Sequence, residues 1–566
     1  MIINSRTMRN RAAYIIISAV AAILHTLTAI AQPSGVVERL YIATDKQTYI
    51  AGERIWCSLY CLEAQGEGFL LSDFSSTAYL ELQDQNQVVL TAKVALVEGR
   101  GAGAIELPPT LPTGNYKLLG YTTQNRNEAG FVPEGKILSI FNVITTERVE
   151  GNVELTREGL SVAVPAQSAA ASPKGSISLE LPQGEIKAGE EFYIELRNGA
   201  AADISLNLSV YHKNPFYTKT DSGIVNYWEK ITHEPFGDVK MEFLPDYEGE
   251  VVRLDVKGAS SDEMLYISFP GPQVDCYASN IDSAGVATIV TPNVYGERDM
   301  VCEGGSSMEL RDPFIRKVDG AIPPLAIFPE MGEYLEQRGF SMQVGRRFDA
   351  DTLYDRLPVR PNILLDANRV VYLLDDYTRF PKMEEVLVEF VNEVRIRSVK
   401  RQKQLSILIN DQENSHYSTG YSLVMLDGVP VTDQAKILDY DPLLLHRIEI
   451  YTGIYSVGNV YYEGMANFIT YKGDMSGFEF EDNVKILPYK GSIYPMAFTG
   501  ASISEGGAYP DYRETIYWHP VLDLKGGDSL KIRCIAPLYG GDFDVVLEGV
   551  SLSGAPVYYK STLKIR

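Results

Sequence analysis

Six histidines, five cysteines and several carboxylate clusters are the residues of this 566-residue chain whose chemistry could serve catalysis or metal binding. The histidines stand at positions 25, 212, 233, 416, 446 and 519, and no His-Glu-x-x-His occurs to set two zinc ligands and a general base on one helix face. Cys57 and Cys61 are four residues apart in a segment of strand character, which places both on one face about 13 Å apart along an extended chain. They cannot bridge without a bend. No histidine is near and no Cys-x-x-Cys occurs, so both read as small buried hydrophobes. Cys276, Cys302 and Cys534 make the total odd, leaving at least one cysteine unpaired within the chain.

Glu384, Glu385, Glu389 and Glu393 offer paired carboxylates for acid and base roles, but they flank an apolar helical stripe and read as a solvated face. Asp366, Asp375 and Asp376 lack the spaced oxygen ligands of a calcium loop and read as turn residues. The pairs Tyr227-Trp228 and Tyr517-Trp518 could stack on sugar rings, against the plainer reading of strand core. Gly-x-Ser-x-Gly, the P-loop and a helix-opening Gly-x-Gly-x-x-Gly are all absent. The sequence therefore assigns no catalytic residue, no cofactor and no metal ligand, and the chain is expected not to be an enzyme.

The elements that would carry any site are mostly strands. With 47 Gly, 29 Pro and 35 Tyr beside 3 Trp, the composition favours pleated surfaces joined by tight turns. The length predicts about three to five domains. A net charge of −23 without a Lys/Arg-rich run makes nucleic acid an improbable partner, since phosphate neutralisation needs basic residues. Residues 1–31 carry Arg6, Arg9 and Arg11 without an acid, then an apolar stretch from Ala12 to Ile30 and small residues Ala29 and Ala31. This is the pattern of a secretory signal cut before Gln32, with an uncleaved anchor as the rival reading. No integral membrane span is expected after that cleavage, and the expected location is the periplasm or the outer-membrane-associated envelope.

Lys46 to Tyr60 and Gln183 to Arg197 repeat one pattern: Ala51-Gly52-Glu53 matches Ala188-Gly189-Glu190, and Ile55, Cys57 and Leu59 match Phe192, Ile194 and Leu196. A glycine turn launching an alternating strand accounts for it and predicts two related sandwiches. Ala166 to Lys174 has the composition of a linker. Asp282-Ser283-Ala284-Gly285 marks a hairpin in a smaller β unit. Met383, Val386, Leu387, Phe390, Val391 and Val394 have amphipathic spacing, predicting a helix from Met383 to Val394.

Tyr49-Ile50-Ala51-Gly52-Glu53 and Leu-Pro-Thr-Gly-Asn-Tyr at 111–116 resemble the macroglobulin-like β-sandwich domains of exported Bacteroidetes proteins. None of the cysteines lies in the Gly-Cys-Gly-Glu-Gln setting of a macroglobulin thioester, so protease trapping by that route is excluded. Asp427-Gly428-Val429-Pro430, then Ile448-Glu449-Ile450-Tyr451 and Gly464 to Lys472, with Glu449, Gly464, Thr470 and Lys472 as the motif positions, resemble the plug domain of TonB-dependent outer-membrane receptors. The segment after Asp474 is too short for the barrel of about 22 strands that normally encloses a plug. These resemblances imply a mainly β, multidomain chain of tandem macroglobulin-like or immunoglobulin-like sandwiches with an α+β plug-like domain. Its expected parts are a signal peptide (1–31), sandwiches at 32–147 and 148–247, a small regulatory-type sandwich (248–310), a connecting segment (311–369), a plug-like domain (370–480) and a C-terminal β-domain (481–566). The implied function is a non-enzymatic envelope scaffold contacting outer-membrane proteins or a separate β-barrel. A ligand-binding accessory of a TonB-dependent uptake system and a hydrolase accessory are the alternatives.

Overall fold

The computed structural model describes residues 35–566 apart from 67, 146–147, 149–150, 156–176, 217–222, 261–262, 272–273, 293, 319–321, 349–353, 360–368, 411–414, 459 and 499–509. The expected signal segment, the linker at Ala166 to Lys174 and Asp366 lie outside the described residues.

The repeated Ala-Gly-Glu turns are alike in hydrogen bonding as well as in sequence. Gly52 (φ +97°) and Gly189 (φ +77°) both occupy the left-handed region that glycine adopts without strain. Around the first turn, Glu53 N donates to Ile50 O, Ala51 N to Phe141 O, and Leu107 N to Glu53 O. Around the second, Glu190 N donates to Lys187 O, Ala188 N to Arg566 O, and Ala536 N to Glu190 O. Each turn thus docks on two strands in the same way, and the partners of the second lie at the far end of the chain.

Sheet order repeats the correspondence. The first sandwich sets Glu38–Thr44, Arg54–Gln65 and Arg100–Glu106 in one row, continued by Val88–Val97, Thr77–Gln83, Gly114–Thr122 and Gly135–Phe141. The second sets Ile177–Glu180, Glu191–Asn198 and Ser529–Ile535 in one sheet, and Thr515–Leu524, Ile204–His212, Gly541–Ser551 and Ala555–Ile565 in the other. These are the same seven positions in the same order. Between the strands matching the Thr77–Gln83 and Val88–Val97 hairpin, however, the second sandwich carries everything from Lys213 to Glu514. The ends of that insertion meet, since Tyr211 pairs with Thr515 and His212 N donates to Glu514 O at 2.8 Å.

The second sandwich is therefore not the contiguous 148–247, and 481–566 does not form a separate C-terminal domain. Strand Glu191–Asn198 alternates exposed and buried residue by residue. That period identifies a strand and its inward face, but it leaves the partner open. The partner is Ser529–Ile535, and one core unites Ile194, Leu196, Leu206 and Leu208 with Phe543, Val545 and Leu547.

A second insertion sits inside the first. Glu250–Lys257 lies between Val286–Thr291 and Ser307–Leu310, facing a sheet ordered Cys276–Asn280, Met264–Ser268, Glu297–Glu303 and Val484–Lys490. The small sandwich expected at 248–310 thus closes only when 484–490 returns. The intervening α+β module has a sheet ordered Arg369–Leu373, Leu445–Val457, Val460–Thr470, Leu423–Leu426 and Val429–Pro430. One face packs on helices Met383–Phe390 and Ala435–Asp439 and on the Val394–Val399/Gln402–Asn410 hairpin. The other places Tyr451, Tyr462 and Met465 against Tyr266, Val274 and Cys276 of the small sandwich.

The expected helix ends at Phe390 rather than Val394. Val391 and Val394 remain buried, but Val394 opens a strand, in keeping with its β-branched side chain. Phe390 is half-buried and stacks on Tyr377 with ring centroids 4.3 Å apart. The expected connecting segment holds helix Met331–Arg347, whose three glycines and weak apolar pattern hid it.

Asp246 ties the first sandwich to the start of the small one. Its carboxyl accepts from Val251 N at 2.7 Å, from Tyr79 OH at 3.2 Å and from Thr123 Oγ1, and burial pushes its pKa up to about 7 despite these bonds. In the unfolded chain an aspartate releases its proton near pH 4, whereas the folded protein retains this one until about pH 7. Its contribution to stability is therefore complete below about pH 4 and falls as pH rises toward 7. Urea midpoints at pH 5 and pH 8 should show wild type losing more stability across that interval than Asp246→Asn, while equal losses would contradict this.

Candidate functional site

The plug-like motif residues divide into one tight cluster and three separate positions. Asp427 (φ +49°) and Gly428 (φ +80°) form a two-residue turn between strands that pair Leu426 with Val429 and Met425 with Pro430. The Asp427 carboxylate, fully buried, accepts from Thr470 N at 2.8 Å, Thr470 Oγ1 at 2.7 Å and Met475 N at 2.8 Å. Gly428 N donates to Asn467 Oδ1 at 3.0 Å, a residue inside the matched segment but not one of its motif positions. Val429 and Pro430 are buried beside the turn.

Glu449 lies on the sheet face turned toward the small sandwich and accepts from Arg447 Nε at 2.8 Å and Tyr451 OH at 2.7 Å. Gly464 (φ +79°) lets the strand approach Ile407, which a Cβ there would meet at 2.6 Å. Lys472 is exposed. The motif thus locks a turn and a strand crossing; all but Lys472 act inside the fold.

The outward surface at that end of the sheet sets exposed apolar side chains among the exposed Asp375, Asp441 and Lys472. Leu443 and Tyr471 are 50% and 54% exposed, with Leu444 and Leu373 beside them in the fold. Arg379 holds this end together by donating to the carbonyls of Pro442 and Leu445 at 3.0 and 2.9 Å, while Tyr471 OH donates to Asp375. Asp375 lies in the short helical turn Leu374–Asp376 and has a structural partner. Strand Arg369–Leu373 forms the sheet edge, with Val371 exposed.

A second constellation, unforeseen in the sequence, lies where the two large sandwiches meet helix Met331–Arg347. Arg338 donates to both Glu53 oxygens at 3.0 and 3.1 Å, and its Nε lies 3.3 Å from Glu514 Oε2. Lys46 pairs with Asp45 at 3.1 Å and Glu53 at 3.5 Å, and Thr515 Oγ1 donates to Asp45 at 2.6 Å. Burial works against the charge on Arg338, but Glu514 and Glu53 outweigh it and keep the guanidinium protonated. Burial likewise opposes ionisation of Glu53, yet Arg338 and Lys46 hold its carboxyl below the usual range. The repeat offered one signal: Glu53 occupies a turn position whose counterpart, Glu190, is 55% exposed.

Beside this network opens a cleft of about 250 Å³ lined by Arg54, Trp56, Arg346, Tyr354, Phe498 and Arg513 among others. The remaining candidates do not converge. Tyr227 and Trp228 lie on helix Ile224–His233, not on a strand, and are buried against Tyr41 and Phe69. Tyr517 and Trp518 are strand core, with Trp518 wholly buried. Neither pair offers a ring to a sugar. All five cysteines are free, and burial raises the thiols of Cys57, Cys276, Cys302 and Cys534 to about 12, so they serve as hydrophobes rather than nucleophiles. Glu384 pairs with Lys403, and Glu393 accepts from Tyr372 beyond the helix end. Among the described residues no group of three or more His, Cys, Asp or Glu could hold a metal, and no helix is long and apolar enough to cross a membrane.

No protein-family model and no curated protein matches the chain. Among solved structures it is similar to Escherichia coli alpha-2-macroglobulin activated by porcine elastase, at 9% identity and TM-score 0.24, over 94% of this chain and 44% of that one. The native conformation of E. coli alpha-2-macroglobulin matches at 8% identity and TM-score 0.24, over 94% and 40%. Salmonella alpha-2-macroglobulin reacted with methylamine matches at 9% identity and TM-score 0.15, over 94% and 24%. The chain spans less than half the length of each, and its description as a mainly β, multidomain protein stands on its own sheets.

Proposed function

We propose that the chain is an exported, non-enzymatic interaction protein of the cell envelope, in which interlocked sandwiches display a receptor-plug-like module to outer-membrane proteins. The observation that carries this reading is the module's surface: both faces of its sheet are packed within the chain, yet its turn end presents Leu443, Leu444 and Tyr471 to solvent. Exposed apolar side chains among charged ones on a rigidly held module are suited to contact with another protein, because their burial stabilises a complex without reordering the fold. The turn, strand order and strand crossing built by Asp427, Gly428 and Thr470 support the plug resemblance, and the two matched sandwiches support the macroglobulin-like one. The apolar, arginine-led amino terminus supports export.

Leu443→Asp combined with Tyr471→Asp should leave the protein folded with a modestly lower unfolding midpoint, since both side chains are half exposed while Tyr471 gives up its bond to Asp375. The pair should abolish co-purification of outer-membrane proteins from cross-linked envelopes. Undiminished recovery of the same proteins by a folded double variant would overturn the reading.

A further inference from the structure

Arg513 is placed as though one of its donors awaits an acceptor. Its Nε and one terminal nitrogen donate to the two oxygens of Asp511, each at 2.5 Å, and its guanidinium lies over the Phe498 ring at 4.7 Å. The side chain is 8% exposed, and the other terminal nitrogen, Nη1, is buried without a hydrogen-bond partner. An unmade bond at a buried cationic donor is costly, so the position is explained best by a group that arrives to accept it.

The cleft it lines has the other features such a group needs. Arg346, in the last turn of helix Met331–Arg347, reaches Gly52 O at 3.0 Å; Gly52 permits this approach, since a Cβ there would lie 3.0 Å from the guanidinium. Arg54 lies over the Tyr354 ring at 4.9 Å and donates to Glu106, whose side chain is 73% exposed and therefore easily exchanged for another carboxylate. Trp56 meets Tyr354 edge-on at 4.8 Å, with Phe498 behind, so Arg54 and Arg513 lie against one aromatic cluster of which Tyr354 is the partly exposed ring.

We propose that this cleft is a carboxylate-binding site, sized for one acidic side chain or one terminal carboxylate carrying an apolar group. Arg513 Nη1 donates to the carboxylate deep in the cleft, Arg346 and Arg54 flank it, and the partly exposed Tyr354 ring receives the apolar part. This inference goes beyond the envelope-contact reading and does not rest on it: the cleft lies between the sandwiches, not on the plug-like module.

Calorimetric titration of the full mature chain with N-acetylphenylalanine, its amide, and N-acetylglutamate α-amide tests the proposal. Saturable binding of at least one acid with none by the phenylalanine amide is expected; preference between the acids tells a terminal from a side-chain carboxylate. Arg513→Gln should weaken binding at least tenfold. Because that change also strips Asp511 of its partner, Arg346→Gln is the second variant, expected to weaken binding severalfold in a protein with an unchanged unfolding midpoint. Equal binding of acid and amide, no binding of either acid at 10-fold molar excess over a millimolar protein sample, or full affinity in folded Arg346→Gln would overturn it.

Discussion

Arg338→Met is expected to lower the unfolding free energy by about 3–5 kcal/mol, among the largest effects of any single substitution in the chain. Methionine matches the stem of arginine but leaves Glu53 and Glu514 without the guanidinium that both engage in a buried setting. The loss comes from stranded carboxylates rather than from a vanished attraction, so it should exceed the effect of breaking any exposed ion pair. The repeat supplies a matched control. Glu53→Gln should be clearly destabilising, whereas Glu190→Gln, at the equivalent turn in the second sandwich, should change stability by no more than about 0.5 kcal/mol because its side chain is exposed. Chemical denaturation followed by far-ultraviolet circular dichroism measures all three, and similar midpoints for the two glutamine variants would show that the junction network contributes little.

Truncation before Pro510 is expected to unfold the second sandwich outright. It removes four of that sandwich's seven strands and strips the partners from Ile194, Leu196, Leu206 and Leu208, which are buried against the returning chain. It also removes Glu514 from Arg338. The first sandwich should persist, since its seven corresponding strands and its core are all drawn from residues before 142. Hydrogen exchange should therefore find amides of 191–212 unprotected and those of 38–65 protected. Protection across 191–212 in the truncated chain would mean that the second sandwich closes without its carboxy-terminal strands.

Local structure was legible in the sequence wherever a short-range physical rule governs it. The Ala-Gly-Glu repeat identified two related turns because both need a glycine at positive φ. The Asp427-Gly428 turn and the Asp282 hairpin followed from side chains that tolerate or cap such backbones; Asp282 accepts from Ala284 N and Val286 N. What escaped was the pairing of distant segments. Strands Ser529–Ile535 and Gly541–Ser551 pair with Glu191–Asn198 and Ile204–His212 across some three hundred residues, and nothing local in the sequence ties them together. The junction network escaped for the same reason: Asp45, Lys46, Glu53, Arg338 and Glu514 are ordinary surface residue types until three elements converge on them. The motif segments include Asp427, Thr470 and Tyr471, but they do not distinguish the buried Asp427 and Thr470 from the outward Tyr471, and Leu443 lies outside them.

In the nested arrangement the two ends of the chain form one sandwich, and one cross-strand disulfide tests it directly. Tyr193 and Arg533 sit opposite each other in register and are both substantially exposed. Facing residues of antiparallel strands lie about 4.5–5.5 Å apart between Cα atoms, within the range a disulfide spans. Cys534, next in sequence, is buried with its thiol raised to about 12, so it competes poorly for the bond. With Tyr193→Cys and Arg533→Cys introduced together, mild oxidation should give an intramolecular 193–533 link in nearly every chain, identified by mass spectrometry of the digested protein. Recovery of both cysteines as free thiols, or linked only between chains, would contradict the pairing that makes the two ends of the chain one sandwich.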